Sequence, residues 1–434
     1  MTDRTVEALL PSALTRYLEA PGRRFEFDVA TGMRGHPVHA PGASFDGSAT
    51  TRSIIVEGWR FLAHSYAIVN QWQLLALSRR PDVAPKVIDL PFHGRRWKSQ
   101  DDLWEPADEN LLRSLQTADP AEPADVTLRV AFPLDFSPSR SGLTVIFGTS
   151  ESQVIPKEAL PDSEAYERLR RAPPPQEVRV LTPSHWSAQG FFNAGLETEQ
   201  VLVIPHGVDV ATFHPMAELR GRIRRSIDIA ADDFVFFSAG AMSGNKGVDL
   251  LLQAFAQVCK KFPHAKLVLK GMDALYKSRS MLIQNLLTVP EKDRQRVLDR
   301  LIYFGESLPF RKMALLYQAA DVYVSAYRAE GFNMPVLEAA ACGIPVICTR
   351  GGATDDFVTD AFARRIDSRK ITIGRKDEYR VRLEPDLEHL VAQMISAIED
   401  HSWRMRAAEA GPRHVHHKYT WDDVVGTLIH KLFN

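Results

Sequence analysis

The chain has 434 residues, 45% hydrophobic and 25% charged, enough for two or three globular cores. Its 53 basic and 54 acidic residues leave a formal charge of −1, which argues against a binder of phosphate backbones and predicts no nucleic-acid partner. The 3 cysteines, Cys259, Cys342 and Cys348, make no CxxC pair, which speaks against a disulfide scaffold or a zinc site and fits a reducing cytoplasm.

The start, Met1-Thr2-Asp3-Arg4, lacks the apolar stretch of a signal peptide. No apolar run reaches the roughly 18 residues of a membrane span, and the richest stretch is broken by Glu338, Gly343 and Pro345. Residues 1–50 form an extension, with an amphipathic helix expected over 6–18. A Gly/Pro/His-rich loop follows over 32–47, whose His36 and His39 read as exposed loop histidines.

From Ser53 the pattern becomes alternating strands and helices. Strands are expected over 53–57, 86–90, 126–132, 143–147, 178–182 and 201–204, with helices over 66–77 and 187–194. Such alternation predicts a parallel sheet covered on both faces, a first domain of residues 51–208. The stretch 205–215, with Pro at both ends and Gly207 inside, reads as a hinge. A second series then runs through strands at 234–238, 266–269, 301–304, 321–325 and 345–349, with helices at 248–262, 311–320 and 335–341, in a domain of residues 209–412. The fold class expected is α/β, two Rossmann-like doubly wound domains facing a cleft.

Three features of the second series carry the chemistry. Gly240-Ala241-Met242-Ser243-Gly244-Asn245-Lys246-Gly247 lies between a strand and a helix. There glycine lets the backbone approach a ligand, and the helix start offers free N–H groups. Lys246 adds a full charge where a phosphate would sit, although the same pattern also suits an ordinary turn with a solvated lysine. The second feature is Glu330-Gly331-Phe332-Asn333-Met334-Pro335-Val336-Leu337-Glu338, with Pro335 suited to the first turn of a helix. Gly331 and Asn333 tolerate unusual backbone angles, and the amides of Phe332, Asn333 and Met334 would face the cleft. Glu338, among small apolar neighbours, needs a partner, either ligand hydroxyls or the helix dipole. The third is Ala341-Cys342-Gly343-Ile344-Pro345-Val346 followed by Gly351-Gly352, again at strand ends where open α/β sheets bind ligands.

Together these stretches resemble the retaining GT-B glycosyltransferases of the group 1, or family 4, type. The residues that carry the resemblance are Ile204-Pro205-His206-Gly207-Val208-Asp209 with Phe213, the Lys246-Gly247 loop, the pair Glu330/Glu338, and Cys342-Gly343-Ile344-Pro345-Val346. Glu151-Ser152 and Thr182-Pro183-Ser184-His185-Trp186 match the first-domain pattern of some members.

The resemblance implies transfer of a sugar from a nucleotide-diphospho-sugar donor to an acceptor hydroxyl, with retention and without a cofactor or metal. Lys246 would bind the donor diphosphate with Gly240 and Gly247. Glu330 would hold the transferred sugar, Glu338 the ribose, and the loop Gly331-Phe332-Asn333-Met334 both sugar and phosphate. The base would lie near Lys270, Gly271, Glu306 and Leu308. Glu330, Lys246 and His64 are the expected catalytic residues, with His64 and Glu151 on the acceptor side. Residues 413–434 would form a helix crossing back to the first domain. The acceptor is open: a glycan, a lipid-linked sugar, a protein or a small molecule.

The chain also departs from the family pattern. Ala241 stands where the family usually has Arg, Asn333 where it has Gly, and Asp355 or Asp356 where it has Glu. Gly58-Trp59 replaces the usual glycine pair after the first strand. A sugar phosphorylase on the same fold and a non-catalytic binding or scaffold member are therefore the alternatives. A dehydrogenase is excluded by glycine spacing, since no Gly-x-Gly-x-x-Gly follows either first strand. A glycosidase is disfavoured because Glu330 and Glu338 lie on a phosphate-binding type of loop and helix. The basic runs 93–98 and 220–225 read as solvated faces, with peripheral contact to an inner membrane face as the alternative.

Overall fold

The computed structural model describes residues 23–27, 51–94, 97–375 and 379–434. The helix expected over 6–18 and the loop histidines His36 and His39 lie outside them.

Two parallel six-stranded sheets form. The first comprises β1 (Arg52–Gly58), β2 (Val83–Asp89), β3 (Val126–Val130), β4 (Leu143–Phe147), β5 (Val178–Thr182) and β6 (Val201–Val203), in the order β2-β1-β3-β4-β5-β6. The second comprises β7 (Phe234–Ala239), β8 (Ala265–Lys270), β9 (Leu301–Phe304), β10 (Val322–Ser325), β11 (Val346–Thr349) and β12 (Ala363–Ile366), in the order β12-β11-β10-β7-β8-β9. β10 and β11 are buried along their whole length, as inner strands between two helical layers must be, and so is the edge strand β9. A hairpin of β13 (Ser368–Ile373) and β14 (Arg380–Pro385) is appended to the second sheet's side.

In each sheet the strand order reverses once, at β1/β3 and at β7/β10. At such a reversal the helices leave in opposite directions and open a crevice at the strand C-terminal ends. Here the two crevices face each other. Several bonds cross between them. Ser184 Oγ donates to the Gly331 carbonyl at 2.6 Å, Phe310 N to the Leu103 carbonyl at 3.1 Å, and Val381 N to the Ser152 carbonyl at 2.9 Å.

The chain passes between domains twice, and the two crossings are packed together. The last helix, Trp421–Phe433, is capped by Thr420 and buries Trp421, Val424, Val425, Leu428 and Ile429 in the first domain's core. Val208 N donates to the Tyr419 carbonyl at 2.7 Å, which ties the outward crossing to the returning one. Gly207 fits there because a Cβ would stand 2.6 Å from the Trp421 backbone.

One expectation is corrected. The basic run at 220–225 is not simply a charged surface. Arg220 and Arg224 turn inward and hold the two carboxylate oxygens of Asp321 at 2.6 Å each, while Asp321 also accepts from Val235 N at 2.7 Å. Arg224 further donates to the Ala319 carbonyl at 3.0 Å. These guanidinium groups anchor the entry to β10, which leaves Arg222 and Arg225 as the exposed arginines of the run. In the other basic run, Arg95 and Arg96 lie outside the described residues, and Trp97 packs edge-on against Trp59 with ring centroids 5.5 Å apart. No helix among the described residues is long and apolar enough to cross a membrane.

Candidate active site

Between the two sheets lies a cavity of about 420 Å³ lined from both domains. Its first-domain wall includes Tyr66, Phe147, Thr149 and Glu151, and its second-domain wall Gly240, Lys246, Lys270, Glu330, Asn333 and Glu338.

Lys246 ends a single helical turn, Gly244–Lys246, after which Gly247 takes φ 66° and starts the helix Val248–Lys261. That left-handed turn aims the Lys246 side chain into the cavity. Its Nζ donates to Glu330 Oε1 at 2.6 Å. Burial works against the ammonium, but the Glu330 and Glu151 carboxylates outweigh it and raise the Lys246 pKa. Burial likewise pushes the Glu330 carboxyl up, opposed by the Lys246 charge. Each group thus offsets part of the other's cost of burial. From the opposite domain, Glu151 Oε2 accepts from Asn245 Nδ2 at 2.9 Å and so braces the turn that carries Lys246. Behind it, Arg328 donates to the Gly244 carbonyl at 3.1 Å and to Asp249 at 2.7 Å.

Glu330 opens the loop into the helix Met334–Ala341, whose Asn333 N-cap (φ 81°) makes no side-chain cap bond. The helix start is thus presented to the cavity with its dipole uncapped. Asn333, not Gly331, is the left-handed residue of this loop. Its amide is turned inward, Nδ2 donating to Ser325 Oγ at 2.9 Å. Gly331 serves close approach instead, since a Cβ there would stand 2.8 Å from the Thr149 side chain of the other domain.

Glu338, one turn into that helix, lines the cavity and accepts a bond from Tyr317 Oη at 2.7 Å. Burial lifts its pKa to about 7. Because the folded pKa lies above the ordinary value, ionising Glu338 costs the native state nothing at pH 4 and its full penalty above pH about 7. Glu338→Gln is therefore expected to leave stability unchanged at pH 4. At pH 8 it should raise stability by roughly 2 kcal/mol, a figure discounted for the solvent that reaches the cavity. Urea denaturation at both pH values measures this.

Other expected site residues are placed as follows. Gly240, Leu308, Phe332 and Met334 line the cavity. Gly247 is beneath it: a Cβ would lie 1.8 Å from the Ala326 carbonyl oxygen, so its part is to turn the chain rather than to touch a ligand. Glu306 is also outside the lining, because segment 23–27 docks on it and Phe25 N donates to its Oε1 at 2.6 Å. His64 caps the helix Ser65–Ser78 through Nδ1, which accepts from Tyr66 N at 3.2 Å. Its ring lies 4.9 Å from Trp97 and 5.3 Å from Trp59, so the neighbouring Ala63 and Ser65 reach the cavity and His64 does not. Burial and nearby His93 lower its pKa to about 4, which keeps the imidazole neutral. His206, buried between Phe147 and Phe332, does line the cavity, and burial holds its pKa near 3. No site role was read for it from sequence, although Pro205-His206-Gly207 marked the hinge. Asp356 and Asp355 lie off the cavity, Asp356 accepting from His185 N at 2.7 Å and Asp355 from Gly351 N at 2.8 Å. Among the described residues no group of three or more His, Cys, Asp or Glu is arranged to hold a metal ion.

This architecture is the GT-B fold, two Rossmann-like domains with the site between them. Residues 220–414 match the model of the glycosyl transferases group 1. Among curated proteins, the lipopolysaccharide 1,2-N-acetylglucosaminetransferase of Salmonella typhimurium is 25% identical over 60% of this chain and 63% of its own length. A D-inositol 3-phosphate glycosyltransferase of Actinosynnema mirum is 27% identical over 61% of this chain and 64% of its own. The matches thus span less than two thirds of these relatives. Among solved structures, the HepE protein of Anabaena in complex with UDP and glucose superposes with a TM-score of 0.62 at 15% identity, over 88% of this chain and 99% of that one. A glycosyltransferase of Rickettsia africae does so with a TM-score of 0.64 at 12% identity, over 88% and 98%.

Proposed function

We propose that the protein is a glycosyltransferase that takes a sugar from a nucleotide-diphospho-sugar and passes it to an acceptor hydroxyl. The observation that carries this reading is the Lys246–Glu330 pair at the uncapped start of the helix Met334–Ala341, inside a cavity walled by both domains. A leaving nucleoside diphosphate gains negative charge as the glycosidic bond breaks. An ammonium and a helix start fixed in advance stabilise that charge without reorganising at the moment of reaction. Glu330 both aims Lys246 and offers a carboxylate to sugar hydroxyls, and Glu338 offers another to a ribose. The similarity to relatives named for glycosyl transfer, and to a neighbour described with UDP and glucose, supports the same reading.

In this account retention follows from the family resemblance and the reaction needs no added cofactor. The acceptor enters from the first-domain wall, past Tyr66, Thr149 and Glu151. The test is incubation with UDP-, GDP-, ADP- and dTDP-sugars, with release of the nucleoside diphosphate followed by chromatography. Slow release from one nucleotide class without an acceptor is expected. Sugar 1-phosphate formed from a glycan and free phosphate, with no nucleotide-sugar consumed, would establish the phosphorylase reading, and no turnover of either kind would favour a non-catalytic member.

A further inference from the structure

The cavity's lining contains two cationic side chains, Lys246 and Lys270. They are not equivalent. Lys246 is shared with Glu330 at 2.6 Å, so it brings less net charge to an anionic ligand than an unpaired ammonium does. Lys270 ends β8, is only 3% exposed, and lies beside the Gly240 turn, whose amide donates to the Lys270 carbonyl at 2.9 Å. Its Nζ donates to the adjacent Gly271 carbonyl, and no carboxylate among the described residues forms an ion pair with it. Ala241, which lines the same wall, contributes no charge. A buried ammonium with one protein acceptor for three protons is costly to keep unless a ligand supplies the rest.

Building on the function proposed above, we propose that Lys270 is a second phosphate-binding residue of the donor site: its free ammonium protons bind the diphosphate beside Lys246, which also holds Glu330. The charged groups that bear on Lys270 are Glu306 and Asp273, and Asp273 is itself engaged by Tyr303 Oη at 2.6 Å. Burial outweighs both carboxylates and brings the Lys270 pKa down to about 8. An anion binds the protonated form, so diphosphate affinity is full below that value and declines as the pH rises through it.

The test is titration calorimetry with UDP, GDP, ADP and dTDP, and with the nucleoside matching whichever diphosphate binds. Lys270→Met is expected to weaken the diphosphate at least about tenfold and to leave the nucleoside unchanged, since a charge-assisted phosphate bond is lost and no base contact is. Lys270→Arg should restore most of the affinity, and its binding should stay flat from pH 7 to 9 where the wild type weakens. Unliganded Lys270→Met should melt no lower than the wild type, because the substitution removes a buried charge and keeps the stem. Equal diphosphate affinity in Lys270→Met and wild type would overturn the inference and leave the glycosyltransferase reading intact. An equal loss for nucleoside and diphosphate would overturn it as well, by showing a general distortion of the site. A wild type that binds none of the four diphosphates would sink both.

Discussion

Glutamine in place of Glu330 is expected to lower kcat/KM for the donor by about 100- to 1000-fold, the range typical of removing a preorganised electrostatic group at a reacting centre. The substitution keeps the shape of a side chain that is 6% exposed and removes only its charge. Two consequences follow for Lys246, whose ammonium now lies 2.6 Å from the Glu330 carboxylate. Freed of that partner, it becomes a better ligand for a diphosphate, so product affinity should hold or rise. It also loses its aim, and the carboxylate is no longer present for the sugar, so turnover should collapse. A fall in kcat with undiminished diphosphate affinity, read from donor consumption and calorimetry on the same sample, is the expected pattern. Turnover within threefold of the wild type would show that Glu330 is only a structural counter-ion.

The second large effect is on stability. Trp421→Ala is expected to cost about 3–5 kcal/mol, as removal of a large aromatic from a well-packed site does. Trp421 is 3% exposed and stacks on Trp72 with centroids 6.4 Å apart and planes inclined by 11°. Its ring also lies 6.0 Å from that of His206, and its backbone presses on Gly207. The residue therefore fastens the last helix to the first core where the chain makes both of its passages between domains. Its loss should loosen the cleft as well as the core and raise the donor KM beyond what the stability change accounts for. Denaturation by urea gives the first quantity and steady-state kinetics the second. A cost below about 1 kcal/mol would show that the surrounding aromatic residues close over the gap.

The parallel cores were legible because their strands are short apolar runs buried on both faces, such as Tyr323 to Ser325 and Val346 to Thr349, with Gly or Pro marking the turns between them. The hairpin of β13 and β14 was not read. β13 is half-buried or exposed at every residue and has no apolar run, and its partner is fixed only by pairing in three dimensions. The loop at Glu330 was legible in its chemistry, since a carboxylate, a glycine and a helix-starting proline stood in sequence. The ties around it were not: Asn245 with Glu151, Ser184 with Gly331 and Tyr317 with Glu338 join residues 94, 147 and 21 positions apart. The same distance effect explains Glu306, which lies near the expected base site but is occupied by the amide of Phe25, 281 residues away. His64 follows the first strand, as an acceptor-side residue would, yet the tryptophans at 59 and 97 enclose its ring and the helix start claims its Nδ1. Lys270 was placed only as a neighbour of the base, because a lysine at the end of an apolar strand looks like one that reaches solvent, and its burial depends on the second domain's own loops.

Calorimetric titration of the four nucleoside diphosphates UDP, GDP, ADP and dTDP into the wild type and Lys246→Ala tests the central claim most directly. One class should bind the wild type with a Kd in the micromolar range, about −8 kcal/mol, and bind Lys246→Ala at least tenfold more weakly. Equal affinity in the two proteins, or no binding of any diphosphate, would contradict the assignment of this cavity to an activated sugar donor.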